Sequence, residues 1–194
     1  MGRPVKFSTS IPGADRIHYV NREDILVVLS RLPEGHWNRL GAVHFNDRSW
    51  GPRFLGYVDH RRREITLCAL PPRISLTRAL RKGQTPEQFG ATRGVKWPKL
   101  AVRRFLLYNV FLHELGHLQR VDKDAVSLRL RFAREKLAQQ FAASWCKKLW
   151  SEPFAHPDPV HNPPSPDELI PSSSVAVTVN AKSVHRSGGR AVPR

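Results

Sequence analysis

A chain of 194 residues is long enough for one domain with a sizeable core plus an extension. With 40% hydrophobic and 25% charged residues it is globular in composition, and no apolar run approaches the ~20 residues of a helical membrane span. The net charge of +16 belongs wholly to residues 1–150, because four basic and four acidic residues balance from Ser151 onward, and such a field favours an acidic partner or nucleic acid.

The opening residues Met1-Gly-Arg-Pro-Val-Lys lack the apolar core of a signal peptide, and Lys6 stands where a myristoylation site needs Ser or Thr. Cys68 and Cys146 are far apart in apolar surroundings, as buried thiols would be. A cytoplasmic protein with no membrane contact is expected.

Residues 1–20 form an irregular N-terminal segment, and a folded domain is expected over 21–150. Asn21 suits a helix N-cap, with Glu23 and Asp24 in the first turn. Ile25, Val28, Leu29 and Leu32 follow at helical spacing until Pro33 stops the helix. His36 falls in the next loop and has the character of a surface residue. Three strands are predicted over 42–45, 54–58 and 64–70, the last bounded by Arg61-Arg62-Arg63 and Pro71-Pro72.

Residues 71–96 make a long cationic connection containing Arg78, Arg81, Lys82, Arg93 and Lys96. Within it Thr85 and Gln88 have the spacing of a cap for one short turn. Trp97-Pro98 opens a helix whose run Phe105–Leu112 is apolar on nearly every side. That helix carries His113-Glu114-Leu115-Gly116-His117. Histidines four apart sit about 40° apart on one helix face, so both imidazoles reach one metal ion. Glu114, beside the first of them, can act as general base on a metal-activated water.

A catalytic zinc site usually needs a third protein ligand. The metzincin spacing fails, since Arg120 and Lys123 stand where Gly and His are required, and no histidine occurs between His117 and His156. Asp122, Asp124 and Glu135 remain. A second helix runs from about Leu128 to Trp150, with Leu130, Ala133, Leu137, Ala138, Phe141, Ala142, Trp145 and Leu149 as its apolar stripe. If the two helices form an antiparallel hairpin, residue 135 lies level with the gap between His113 and His117. Glu135 is therefore preferred. From Ser151 the chain holds eight of its 16 prolines and no apolar periodicity, so residues 151–194 are expected to be a disordered Pro/Ser-rich tail. Within it residues 174–179 alternate as a strand would.

The HELGH motif followed by Glu135-Lys-Leu-Ala-Gln-Gln-Phe-Ala resembles the gluzincins. Within them the pattern is similar to ImmA/IrrE-type metallopeptidases, in which R-R-F-x-x-x-H-E-L-G-H precedes E-x-x-A-x-x-F-A. Arg103, Arg104, Phe105, Ala138, Phe141 and Ala142 correspond in type, although Phe105 stands farther from the motif and Gln139 replaces that family's Asn or Asp. The resemblance implies an α+β, zincin-like fold: a small mixed sheet, an HExxH helix and a second helix bearing the glutamate. It also implies that an edge strand, placed at 64–70, holds an extended peptide by main-chain hydrogen bonds.

A zinc endopeptidase is thus expected, with His113, His117 and Glu135 as Zn2+ ligands, Glu114 as base and a peptide or protein as substrate. Tyr57, His60 and Tyr108 are candidates for stabilising the oxyanion. The rival is a basic nucleic-acid-associated binding protein with a structural zinc site, against which the intact Glu114 speaks.

Overall fold

The computed structural model describes residues 4–47, 55–119 and 128–169, the side chains at 128 and 131 excepted. Asp122, Asp124 and the 174–179 strand lie outside them. Four strands form one mixed sheet: β1 (Lys6–Thr9), β2 (Ala42–Asn46), β3 (Gly56–Asp59) and β4 (Glu64–Cys68), in the order β1-β2-β4-β3. β1 and β4 flank β2 in parallel, and β3 pairs antiparallel with β4. The expected mixed α+β class holds.

Two corrections concern this sheet. β1 lies within the segment expected to be irregular. Only Phe7 of its four residues is even partly buried, so no apolar alternation announces it, and main-chain pairing to β2 holds it. The edge strands are β1 and β3, not 64–70. β4 runs inside the sheet, where Ile65, Thr66, Leu67 and Cys68 are all buried, and a continuous apolar run is what a strand covered on both faces needs. A four-residue hairpin, 60–63, joins β3 to β4; Asp59 Oδ1 accepts from the Arg61 and Arg62 amides.

Asn21 caps α1 (Arg22–Ser30) as its sequence requires. Its Oδ1 accepts from the Asp24 amide at 2.9 Å, and Asp24 Oδ2 accepts from the Asn21 amide at 3.1 Å. Ile25, Val28, Leu29 and Leu32 are buried under the sheet's neighbours in one core. The second long helix is continuous but not uniform: α2 (Lys99–Phe105) passes through a π-helical stretch (Leu106–Phe111) into α3 (Leu112–Leu118). Every side chain from Arg104 to Leu115 is buried. Among the described residues no helix is long and apolar enough to cross a membrane.

α4 (Leu128–Ser151) returns antiparallel along this helix, pairing Asn109 with Gln139 and His117 with Glu135. Its apolar stripe packs from Ala138 onward, through Ala142 and Leu149. The earlier stripe positions Leu130, Ala133 and Leu137 are exposed.

Residues 151–169 correct the expected tail: they form a strap across the back of the domain. Val160 and His161 are buried, and short 3-10 turns occupy Pro159–His161 and Pro166–Leu169. Arg104, 1% exposed, is enclosed by it: Nε donates to the Asn162 carbonyl at 3.0 Å, Nη2 to the Pro159 carbonyl at 2.9 Å, and the guanidinium pairs with Glu168. Arg103 bridges Asp24 and Asp158 at 2.8 and 2.6 Å. The strap is held chiefly by polar partners, so it shows no apolar period.

His161 makes this strap sensitive to acid. Its Nδ1 lies 3.0 Å from the Tyr108 hydroxyl, and burial pushes its imidazole down to about 4. Below the ordinary histidine value near 6.5 the unfolded chain binds a proton that the folded chain refuses, so stability falls as pH drops from there towards 4, by about 2–4 kcal/mol in all. Denaturant midpoints measured between pH 7.5 and 4.5 should decline more steeply in the wild type than in His161→Gln. Parallel curves would remove His161 as the cause.

Candidate metal centre

One turn of α3 supplies two imidazoles and α4 supplies a carboxylate. The Nε2 atoms of His113 and His117 are 3.1 Å apart, and the nearer oxygens of Glu135 lie 3.3 and 3.4 Å from them. These three residues form a cluster able to hold a metal ion. Ligand atoms about 2.0–2.1 Å from a common ion at tetrahedral angles stand about 3.3–3.4 Å apart, so the spacing and the N2O donor set both fit a zinc site.

The close approach of α4 depends on Gly116. A Cβ there would stand 3.0 Å from the Ala138 Cα, 3.1 Å from its carbonyl oxygen and 3.2 Å from the Phe141 Cβ. The glycine weakens the helix by about 1 kcal/mol relative to alanine, yet it is what lets Glu135 reach both histidines. Gly116→Ala should push α4 outward, weakening any hold of the cluster on Zn2+ and costing about 1–3 kcal/mol of stability through overpacking. Isothermal titration with Zn2+ and a melting curve check this; an unchanged affinity would show that α4 accommodates the methyl group.

Glu114 is buried beside the histidines and lines the same cleft. Burial pushes its carboxyl above the usual carboxylate range, opposed by His113 and His117. Glu135 is half exposed, and its hydrogen bonds to His113 and His117 hold it far below that range, fully ionised. The two carboxylates are thus shifted in opposite directions, Glu114 upward by burial and Glu135 downward by its histidine partners.

The cleft encloses about 620 Å³. Its floor is the helix, its far wall the edge strand β3 with Tyr57 and His60, and its rim the 78–81 segment. The His60 ring lies 6.1 Å from that of His117. Of the three oxyanion candidates, Tyr57 and His60 line the cleft. Tyr108 does not: it is buried against Trp150 and His161 on the opposite side of the helix. His36 is a packing residue, edge-on to Phe141 and Trp145, with its carbonyl accepting from Gln119.

Asn109 is a lone amide in an apolar run, the one signal in the sequence that sets it apart. Its Oδ1 accepts from Gln84 Nε2 at 2.6 Å and Gln139 Nε2 at 3.4 Å, tying the rim and α4 to the π-helical stretch. A π-helical insertion widens a helix locally and often marks a functional site. His113 Nδ1 and Gln139 Oε1 are buried without a hydrogen bond in the same region. Nothing matches the chain among protein-family models, curated proteins or solved structures.

Proposed function

We propose that this chain is a cytoplasmic zinc-dependent endopeptidase with a zincin-like fold. The observation that carries the reading is the convergence of His113, His117 and Glu135 to zinc-ligand spacing at an open cleft that also contains Glu114. In this reading the three residues hold Zn2+, which when bound acidifies a water and polarises the substrate carbonyl.

The chain's own groups do the rest. Glu114 takes the proton from the attacking water and passes one to the leaving amine, for which a raised carboxyl value is suited. The outer edge of β3 lies at the same cleft as the ligands, where an extended peptide adds along the strand by main-chain hydrogen bonds. The rival reading, a nucleic-acid-associated protein with a structural zinc, is less well supported. Structural zinc sites are closed by four protein ligands, whereas three such residues cluster here, among the described residues, at an open cleft. Cys68 and Cys146 remain thiols, in keeping with a reducing compartment.

The test is metal-dependent hydrolysis. Purified protein should contain one zinc per chain and cleave an unfolded protein substrate. A chelator should abolish cleavage and added Zn2+ restore it. Stoichiometric zinc with no cleavage of any protein, together with salt-sensitive DNA binding, would favour the rival.

A further inference from the structure

The connection between sheet and helix places two arginines in the metal-site cleft. Arg78 and Arg81 both line it and both are exposed. Arg81 Nη2 is 3.6 Å from Glu135 Oε2, directly beside the proposed ligand set. Arg78 has no hydrogen-bond or ion-pair partner among the described residues.

The segment carrying them is anchored at several points. Leu76 is buried, and Trp97 Nε1 donates to Thr77 Oγ1 at 3.3 Å. The Arg81 amide donates to Gln84 Oε1 at 2.9 Å, and Gln84 Nε2 donates to Asn109 Oδ1. The arginines thus sit on a rim fixed to the catalytic helix, in a geometry that a solvated loop would not maintain.

Formal charge in the cleft balances, two arginines against two carboxylates, but the carboxylates are already engaged. Its acidic lining residues are Glu114 and Glu135, and both already face the histidines. A zinc ion held by Glu135 would further weaken that residue's hold on Arg81. The rest of the core adds a broad positive field, since the whole +16 lies in residues 1–150.

We infer that the cleft selects extended peptides with acidic side chains next to the bond to be cut, with Arg78 and Arg81 as the specificity-determining residues. This rests on the peptidase reading. A peptide laid along β3 passes between that strand and the 78–81 rim, where guanidinium groups can take a carboxylate through charge-assisted hydrogen bonds. A lysine-bearing peptide would meet two like charges in the same place, and this repulsion sharpens the choice.

Two arms test this separately from catalysis. In the binding arm, zinc-loaded Glu114→Gln protein is titrated with two fluorescent peptides identical except for Glu and Asp or Gln and Asn at the positions flanking the central bond. The acidic peptide should bind about tenfold tighter, with the difference shrinking at high salt. Arg78→Gln and Arg81→Gln should each reduce the ratio, and Arg78→Glu should shift preference towards a lysine-bearing peptide. Equal binding of the two peptides, or a ratio unmoved by these variants, overturns the inference. Displacement of the acidic peptide by an oligonucleotide of equal charge at the same concentration also overturns it, by assigning the cleft to nucleic acid. In the cleavage arm, wild-type protein is given both peptides. Failure to cut either refutes the peptidase reading alone, while faster cutting of the neutral peptide refutes the selectivity.

Discussion

Replacing Glu135 with Ala should empty the proposed metal site, whereas Glu114→Gln should leave it filled and silent. Glu135 faces both imidazoles at 3.3 and 3.4 Å from the other helix, so its loss leaves only two ligands from one turn of α3. Elemental analysis of Glu135→Ala should therefore find zinc well below stoichiometric. Zinc should no longer raise its melting temperature, an effect worth about 4 kcal/mol when free metal exceeds the dissociation constant a thousandfold. Glu114 lies next in sequence to His113 but outside the three-residue cluster. Its amide replacement should keep the metal and the fold while lowering kcat by about 10²–10⁴-fold, the usual cost of losing a general base. Full zinc occupancy in Glu135→Ala would sink the ligand assignment. Undiminished hydrolysis in Glu114→Gln would sink its role as base.

Some of this centre was legible before any coordinates, for reasons of geometry. In HELGH, helical spacing alone places two imidazoles on one face, and the antiparallel return of a second helix follows from a short connection and an apolar stripe. Asn21 and Asp24 likewise declare a helix start through local hydrogen bonds that need no partner from elsewhere.

What could not be read depends on distant parts of the chain. β1 is a mostly exposed strand made by pairing, and the order β1-β2-β4-β3 puts a later strand inside an earlier one. In sequence Arg78 and Arg81 belong only to a long cationic connection, because the Gln84–Asn109 anchor joins residues 25 apart. Gly90 gives no sequence hint of its role either. It adopts φ +85°, and a Cβ there would stand 2.8 Å from Arg104 Nη1 and 2.9 Å from Glu168 Oε2. Only a hydrogen atom fits beside that ion pair.

The same ion pair makes truncation after Trp150 destructive. Proline content and zero net charge suggest that everything beyond this point is dispensable, but the partners of Arg104 are all at Pro159, Asn162 and Glu168. Breaking a buried pair by removing one side costs about 3–5 kcal/mol, although water entering the vacated groove offsets part of that. Val160, fully buried, contributes about 1.5–3 kcal/mol more. Arg103 loses Asp158, and Arg31 loses the Phe154 ring that its guanidinium covers at 3.9 Å. Together these approach the 5–15 kcal/mol that holds a typical domain folded. The truncated chain should be insoluble or melt far below the full-length protein, and it should fail to hold zinc because Arg104 stands in the first third of the one continuous helix that carries His113 and His117. Glu168→Gln keeps the backbone acceptors and the strap, so it should remain folded, with a loss of about 1–3 kcal/mol by denaturant titration. A truncated protein that is soluble, melts cooperatively near the full-length value and binds stoichiometric zinc would show that the strap only covers the domain and does not support it.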